Sequence, residues 1–352
     1  MEAARTLKPR ELMDFLLNVA PVRPVFVWGP PGIGKSSIVQ QFAEAVGLDC
    51  VSLLGSQLAP EDLIGVPKIE GGKTRFHPPA QIARETAYCL FLDELNACSH
   101  DVQKAFYSLI NDRRIGEYAL PQGSVVIGAG NRAQDAAIVR ALSSALINRL
   151  IHVQLRADAA DWIAWAEGSS VDPLVIDYIR LRPDQLWSKP PKHEEPFSTP
   201  RAWAFLSEAW QAYAEDNRNE AVADVLASGL LTPSHARGFI AFYRQRQRAF
   251  DLNAILKGER KWPDKPDERD ILYFLTQSFR AQLIKELPEE GVKLSKPVRE
   301  LSMRAKDALI QLSRISVEMA QLVLAADENG NSLPDWFMVE IARDLPRLVG
   351  RG

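Results

Sequence analysis

The chain has 352 residues, of which 46% are hydrophobic and 25% are charged, and its formal net charge at pH 7 is −3. This composition is ordinary for a folded globular protein, so it excludes a disordered chain, a collagen-like repeat and a disulfide-stapled mini-protein. At about 150 residues per domain, the length predicts roughly two domains. The small negative charge supplies no overall field that would attract nucleic acid.

The cysteine content indicates the compartment. Cys50, Cys89 and Cys98 are the three cysteines, and no two of them have Cys-x-x-Cys spacing. Such a sparse, odd-numbered set is typical of reduced thiols, so we expect a cytoplasmic protein. Residues 1–8 lack the apolar stretch of a signal peptide, and no apolar run is long enough to span a membrane. We therefore expect no membrane-spanning segment.

The first half of the chain alternates helical and strand patterns. An amphipathic helix is predicted at residues 11–20, and further helices at 35–46, 102–110 and 138–148. Short apolar runs predict five strands, at residues 25–28, 50–54, 87–92, 124–129 and 150–155. This alternation predicts a three-layer α/β domain with a parallel, five-stranded sheet, which we assign to residues 1–156.

Two polar excursions interrupt this domain, and both are predicted to be exposed hairpins. The first, residues 68–81, carries Lys68, Lys73, Arg75 and His77 around the apolar Phe76. The second, residues 111–124, is marked by Arg113, Arg114 and Tyr118. Two interpretations are open at this point: the excursions are solvated hairpins, or they are loops that line a central channel or contact a partner.

The second half of the chain has helical periodicity throughout. Helices are predicted at residues 157–167, 173–181, 199–213, 220–228, 234–250, 268–286 and 297–326, and a proline-rich loop at 182–200. We assign residues 157–352 to an all-α lid with a C-terminal helical extension. Arg244, Arg246 and Arg248 alternate by two, so they do not share one helical face, which argues against a nucleic-acid-binding helix.

The last of these predicted helices carries one continuous apolar seam. Its members recur at spacings of four and three and are Leu301, Ala305, Ala308, Leu312, Ile315, Met319 and Leu322. The seam either packs within its own helical bundle or docks a helix of a partner.

A glycine-rich loop between the first buried strand and the next helix carries the strongest chemical signal. Residues 29–36 read GPPGIGKS and match the phosphate-binding P-loop, in which backbone N–H groups cradle phosphate oxygens. Lys35 can reach the β- and γ-phosphates, the Ser36 hydroxyl can ligate Mg²⁺, and the helix directs its positive end at the phosphates. A plain Gly-Pro turn is the alternative, but the flanking strand and helix favour the P-loop. The candidate nucleotide-binding residues are Gly29, Pro30, Pro31, Gly32, Ile33, Gly34, Lys35, Ser36 and Ser37.

An acidic pair ends the third predicted strand. Asp93 can hold Mg²⁺, directly or through water, and Glu94 can polarise an attacking water as a general base. The alternative is an aspartate at a helix N-terminus. Because the pair follows a P-loop by one strand-helix unit, we assign it to the same site.

Three further polar residues are candidates for catalysis. Asn131 ends the fourth strand and can orient water against the γ-phosphate, although an asparagine in a turn would look the same. Arg149 precedes the fifth strand, from where it can project into a neighbouring subunit as an arginine finger, with Arg140 as the other candidate. Arg201, at the start of a lid helix, can contact the phosphates. The alternative for Arg149 is a surface arginine or a charge at a helix C-terminus.

Together these motifs resemble those of the AAA+ ATPases, and within them the MoxR family, over residues 12–250, with weaker similarity up to residue 352. The resemblance is carried by residues 29–36 (GPPGIGKS), 60–65 (PEDLIG), 92–96 (LDELN), 130–131 (GN), 146–149 (LINR) and 199–202 (TPRA). Residues 60–65 with the following hairpin resemble the insertion in the second helix that marks the MoxR-containing branch. Residues 111–122 resemble that branch's hairpin before the sensor strand.

The resemblance implies a role for each candidate residue. Asp93 and Glu94 correspond to Walker B, Asn131 to sensor 1, Arg149 to the arginine finger and Arg201 to sensor 2. It also implies ATP with Mg²⁺, a homo-oligomeric ring with six subunits whose sites lie at subunit interfaces, and a von Willebrand factor A-type partner that recruits a protein client. The expected activity is chaperone-like remodelling of that client, with no nucleic acid and no membrane involved.

The sequence departs from the MoxR pattern at three places. Ala97 stands where an arginine often follows the Walker B motif, Leu150 where an aromatic residue often follows the finger arginine, and Arg132 where proline is usual after Asn131. A second function class therefore stays open: a nucleic-acid motor or restriction-type NTPase, including a GTPase, because nothing in the P-loop selects the base.

Overall fold

The computed structural model describes residues 5–115, 117–132, 142–247, 251–288, 295–326 and 330–344. By its internal contacts the chain divides into two units. The first comprises Met1–Trp162 together with Thr199–Arg201, and the second comprises Ile163–Ser198 and Ala202–Gly352.

The first unit alternates strands and helices along the chain. Its elements are β1 (Thr6–Leu7), α1 (Pro9–Val19), β2 (Val25–Trp28), α2 (Lys35–Ala45), β3 (Asp49–Leu54), α3 (Glu61–Ile64), β4 (Val66–Glu70), β5 (Lys73–His77), β6 (Tyr88–Asp93), α4 (His100–Asp112), β7 (Arg114–Ile115), β8 (Tyr118–Ala119), β9 (Val125–Gly130), α5 (Ser144–Ile147) and β10 (Ile151–Leu155). The chain leaves this unit within α6 (Ala159–Glu167).

A parallel sheet with the strand order β1-β10-β2-β9-β6-β3 forms the centre of the first unit. Successive residues of β2 face opposite sides, as strand geometry requires. Val25 and Val27 pack with α1 and α2, whereas Phe26 and Trp28 pack with the layer that contains α4. Burial on both faces explains why β2, β6 and β9 appear in the sequence as continuous apolar runs. The predicted α/β fold class is confirmed.

The predicted number of strands was wrong, because the sheet has six strands rather than five. The additional strand, β1, is only two residues long and pairs Thr6 with Gln154 and Leu7 with Leu155 at the edge of the sheet. A two-residue edge strand has neither an apolar run nor a visible alternation, so the sequence carries no signal for it. Most of the helix predicted at 138–148 lies outside the described residues, and its described part is α5.

Both excursions are hairpins, as predicted. β4 and β5 pair in antiparallel fashion from Val66↔His77 to Glu70↔Lys73. Their two-residue turn is Gly71-Gly72, with φ of 57° and 74°, the conformation that a tight hairpin turn requires. Every residue of these two strands is exposed except Glu70, which is half-buried. The shorter pair, β7 and β8, forms the second hairpin.

The described part of the second unit is helical apart from its connecting segments. Its helices are α7 (Pro173–Leu181), α8 (Pro200–Ala212), α9 (Glu220–Leu230), α10 (Pro233–Gln247), α11 (Leu252–Leu256), α12 (Arg269–Glu286), α13 (Lys296–Ile315), α14 (Val317–Leu324) and α15 (Asp335–Asp344). The Tyr178 ring lies 5.2 Å from that of Trp203 and 5.4 Å from that of Phe239, so aromatic side chains form the centre of this part.

The predicted long helix at 297–326 is two helices, α13 and α14, which is a correction. Ser316 adopts an extended conformation between them, and its hydroxyl accepts a hydrogen bond from the Met319 N–H, so it caps α14. Of the predicted seam, Ala305, Ala308 and Leu312 are buried in a core shared with α12. The interpretation that the seam packs within its own bundle is therefore confirmed for these residues.

Two of the alternating arginines of α10 form ion pairs on the surface. Arg244 pairs with Glu220 at 2.7 Å and also with Asp270, and Arg246 pairs with Asp177 at 2.9 Å. Arg248 lies outside the described residues. In the part of the chain that the structure describes, no helix is long and apolar enough to cross a membrane.

Candidate functional site

The glycine-rich loop joins the carboxyl end of β2 to the amino end of α2. Gly32 and Gly34 have φ of 74° and 103°, a left-handed conformation that favours glycine. Gly34 immediately precedes α2, and no side chain caps the helix there. A glycine-rich loop that leads directly into a helix N-terminus in this way is the arrangement that binds phosphate through backbone N–H groups.

Lys35 lies buried beneath this loop. Its Nζ donates hydrogen bonds to the carbonyl oxygens of Gly29 (2.7 Å) and Pro30 (3.0 Å) and to Asn131 Oδ1 (2.8 Å). A buried ammonium group is costly unless it is well solvated by polar partners, and these three acceptors provide that solvation. The structure thus joins the P-loop lysine to the predicted sensor residue, although 96 positions separate them in the sequence.

Ser36 and Asp93 form the second contact of the site. The Ser36 hydroxyl donates to Asp93 Oδ2 at 2.8 Å, so the first turn of α2 and the end of β6 lie side by side. A hydroxyl and a carboxylate oxygen are hard oxygen ligands, the type that Mg²⁺ prefers. These two residues therefore fit the expected magnesium ion.

Glu94 occupies a conformation that is rare for a residue with a side chain. Its φ is 51°, which costs roughly 1–3 kcal/mol and is found preferentially at functional sites. Its carboxylate accepts a hydrogen bond of 2.6 Å from the Ser56 hydroxyl, and its backbone N–H donates to Asp93 Oδ1. A Cβ added at Gly55 would lie 2.9 Å from the Glu94 carbonyl oxygen, so the segment after β3 approaches Glu94 closely.

Two residues that the sequence analysis did not assign to the site hold its parts in place. The buried Asn96 donates from Nδ2 to the Asn131 carbonyl oxygen at 2.6 Å, so it positions the residue that contacts Lys35. Ser56 holds the Glu94 carboxylate. Asn96 is part of the Walker B-like segment at 92–96, which could have suggested a role, whereas no sequence pattern distinguishes Ser56.

Thr199 and Arg201 pack against the P-loop. The Arg201 backbone N–H donates to the Gly32 carbonyl oxygen at 3.1 Å, and the Arg201 side chain is exposed. A Cβ on Gly32 would lie 2.6 Å from Thr199 Oγ1, so only glycine fits at this contact. The structure therefore places the predicted sensor-2 arginine next to the P-loop, through its backbone.

His152 lies behind the P-loop strand. Its Nδ1 accepts from the Trp28 indole N–H at 3.0 Å, and its Nε2 lies 3.0 Å from the Ile147 carbonyl oxygen. Burial lowers the pKa of His152 below its ordinary value, because the charged form loses water. A neutral imidazole with a proton on Nε2 satisfies both contacts. His152 thus connects Trp28, which precedes the P-loop, to α5.

Arg149 lies apart from the other candidate residues. Its guanidinium donates to Asn111 Oδ1 at 3.3 Å and to the Ala145 carbonyl oxygen at 2.8 Å, and it lies 5.9 Å from the Tyr107 ring centre. Arg149 precedes the amino end of β10, whereas the P-loop and the acidic pair follow carboxyl ends of parallel strands. A strand of five residues separates these two edges by about 13 Å.

The structure thus brings most of the predicted site together. Lys35, Ser36, Asp93, Glu94 and Asn131 lie at the carboxyl ends of three neighbouring strands, the edge where parallel α/β sheets bind ligands. Among the other loop residues, Ile33 is buried in the core and Ser37 is exposed on α2. Arg149 is not part of this cluster, and Arg140 lies outside the described residues.

The site combines a P-loop at a strand-to-helix junction, an acidic pair two strands away in the sheet and a polar residue that follows the strand between them. This combination defines a nucleotide-hydrolysing domain. Comparison with known proteins gives the particular class: residues 24–150 match the family model described as AAA domain (dynein-related subfamily). This segment is an AAA+ ATPase domain.

Individual relatives are similar over limited segments. Midasin of Giardia intestinalis is 31% identical over 170 residues, which are 45% of this chain and 4% of that protein. The Holliday junction branch migration complex subunit RuvB of Synechococcus sp. (strain WH7803) is 24% identical over 115 residues, which are 32% of this chain and 26% of that protein. The solved Thermotoga maritima RuvB Holliday junction branch migration motor is 16% identical, with a TM-score of 0.40 over 96% of this chain and 93% of that one.

Proposed function

We propose that this protein is a MoxR-type AAA+ ATPase that hydrolyses ATP at the subunit interfaces of a hexameric ring in the cytoplasm. It uses this cycle to remodel or activate a protein client, together with a partner that carries a von Willebrand factor A-type domain. The proposal combines the geometry of the site with the resemblance of residues 60–65, 92–96 and 146–149 to the MoxR motifs.

The residues of the cluster have distinct roles in hydrolysis. The N–H groups of the P-loop and Lys35 bind the phosphates, so Lys35 exchanges its carbonyl partners for phosphate oxygens. Ser36 and Asp93 would hold Mg²⁺, which would supply positive charge against the developing negative charge on the phosphates. Glu94 accepts the proton of the attacking water once its carboxylate leaves Ser56. Asn131, which Asn96 positions, orients that water.

The position of Arg149 is the observation that carries the oligomeric part of the proposal. Because Arg149 lies at the amino edge of the sheet, about 13 Å along the strands from the carboxyl edge, its side chain is too far away to serve the site of its own chain. A second copy that packs its amino edge against this carboxyl edge would bring Arg149 to the phosphates. This arrangement supports a ring in which each site has residues of two copies.

The hairpin of β4 and β5 supports a protein client. Val66 and Ile69 expose 70% and 80% of their surfaces, on a hairpin whose strand residues are exposed except for the half-buried Glu70. Exposed apolar side chains on a projecting element are typical of protein contacts. We propose that this hairpin contacts the client and moves with the nucleotide cycle.

Measurement of ATP hydrolysis with different additives tests the proposal. A permanently unfolded protein should raise turnover, whereas single-stranded and duplex DNA should not. Ile69→Ser should abolish the increase, and the control variant Val22→Ser, at an exposed valine outside the hairpin in the same unit (74%), should keep it. Stimulation by DNA alone would contradict the chaperone proposal.

The second candidate function is a nucleic-acid motor. It is favoured by the cations of the exposed hairpin, Lys68, Lys73 and Arg75, and by the similarity to a protein named as a branch migration subunit. A net charge of −3 and the ion pairs that Arg244 and Arg246 form with carboxylates count against it. Turnover that rises with DNA and falls steeply with salt would favour this candidate.

A further inference from the structure

Two cysteines face each other across neighbouring strands of the sheet. β3 is the edge strand, β6 is the next strand inwards, and Cys50 is in register with Cys89. Residues in register on parallel strands project to the same face, and both cysteines contribute to the core beneath α2. Neighbouring strands lie about 4.8 Å apart, within the range of about 4.4–6.8 Å that a disulfide requires between Cα atoms.

The two thiols differ in access. Cys50 is half-buried and borders a cavity of about 350 Å³ that Ser36, Glu44, Ser52 and Phe91 also line. Cys89 is fully buried behind it. An accessible thiol with a second thiol next to it is the arrangement of proteins that react with oxidants and then form a disulfide.

The thiols also differ in acidity. A hydrogen bond with the Cys89 thiol lowers the pKa of Cys50 below its ordinary value, against the opposing effects of burial and of Glu44. The same hydrogen bond, together with burial, raises the pKa of Cys89. Because the thiolate is the reactive form, Cys50 is the thiol that reacts first with an oxidant. Cys89 then reacts with the oxidised Cys50.

We propose that Cys50 and Cys89 form an oxidation site for hydrogen peroxide that ends in a disulfide within one chain. The Cys50 thiolate attacks one peroxide oxygen, the O–O bond breaks, and hydroxide leaves to take up a proton, which gives a sulfenic acid and water. The Cys89 sulfur then attacks the Cys50 sulfur, the S–O bond breaks, and a second water leaves with the proton of Cys89. The two thiols lose two electrons and two protons, and the peroxide is reduced to two waters.

The site lies next to the hydrolytic residues. β3 leads to Ser56, and β6 ends in Asp93 and is followed by Glu94. The disulfide would tie together the two strands whose ends hold the Ser56–Glu94 contact.

Cys98 is the internal control. It is buried, and its Sγ donates a hydrogen bond of 2.7 Å to the Leu95 carbonyl oxygen. We therefore expect Cys98 to remain reduced when Cys50 reacts.

The test treats the 352-residue protein with hydrogen peroxide and measures its mass by intact and peptide mass spectrometry. The expected product is a single chain that has lost two hydrogens, with Cys50 and Cys89 in one cross-linked pair and Cys98 free. Cys98→Ala should react like the unsubstituted protein. Cys89→Ala should instead accumulate a sulfenic acid at Cys50, which a cyclic dione traps.

Three results would overturn the proposal. The first is that the mass of the unsubstituted protein shows no loss of hydrogen, although free glutathione in the same tube is oxidised and so shows that the peroxide is active. The second is a disulfide that joins two chains, visible on a non-reducing gel. The third is oxidation of Cys98 at the rate of Cys50. Because all three are read on the unsubstituted protein, a failure of any variant to fold would not affect them.

Discussion

The two edges of the sheet in the first unit differ in what they carry. The carboxyl edge holds the P-loop, the Ser36–Asp93 pair, Glu94 and Asn131, which hydrogen-bond one another. The amino edge holds Arg149, whose partners are the neutral Asn111, Ala145 and Tyr107. One edge is thus a preassembled cluster of candidate binding residues, and the other presents an arginine whose contacts named above lie outside that cluster.

This difference suggests a hypothesis about which residues for hydrolysis come from one chain and which come from a second copy. Residues that bind and position are joined within one chain, so their geometry is fixed when the domain folds. In our proposal, the residue that adds positive charge in the transition state, Arg149, comes from another copy, so turnover would depend on assembly. The following substitutions test these separate roles by measuring nucleotide binding, turnover and stability.

Lys35→Ala should have the largest effect. It removes the buried ammonium that joins the P-loop to Asn131, so nucleotide binding should be lost and turnover should fall to background. Binding is measured with a fluorescent ATP analogue. Lys104→Ala removes an exposed lysine that pairs with Asp101, and it should bind nucleotide normally. Normal binding by Lys35→Ala would disprove the assignment of the carboxyl edge.

Glu94→Gln should lower turnover by about 10²–10⁴-fold, the range for loss of a general base. The amide keeps the shape and can still accept a hydrogen bond from Ser56, so ATP binding should be retained. Single-turnover hydrolysis and equilibrium binding separate the two quantities. Glu85→Gln, at an exposed glutamate before β6, is the control. Unchanged turnover would show that another residue is the base.

A pair of glycine substitutions should have an intermediate effect. Gly34 and Gly47 both have positive φ, of 103° and 69°, and a Cβ would meet open space at either position. Alanine should therefore cost each protein about 1–2 kcal/mol of unfolding free energy. Only Gly34→Ala should also weaken ATP binding, by about tenfold, because it moves the N–H groups of the P-loop. Equal binding by the two variants would contradict the role of this loop.

The smallest effect should be a pH dependence of stability. His152 is neutral in the folded protein, and its pKa is lowered from 6.5, so the unfolded chain takes up the proton first as pH falls. Stability should therefore decrease as pH falls below about 6.5 and level off below the folded-state pKa. His152→Gln should lose this component of the decrease. Denaturant unfolding across this range measures it, and identical pH profiles would contradict the burial of a neutral imidazole.

The sequence was most informative where chemistry requires a local pattern. The P-loop, the acidic pair and the α/β alternation could all be predicted, because each depends on residues close together in the chain. Ser56 and Asn96 act on partners 38 and 35 positions away, and such contacts leave no local periodicity. The break at Ser316 depends on one hydroxyl that caps a helix inside an otherwise continuous apolar pattern.

The central claim is that one copy supplies Arg149 to the site of another, and mixed assemblies test it most directly. Arg149→Ala alone should lose about 10³-fold or more in turnover, as expected for an arginine finger, and Glu94→Gln alone should also be nearly inactive. In a mixture, a subunit with intact Glu94 and bound ATP can receive Arg149 from a Glu94→Gln neighbour. Our account predicts that mixing restores a substantial part of the turnover, whereas two inactive proteins that stay inactive when mixed would contradict it.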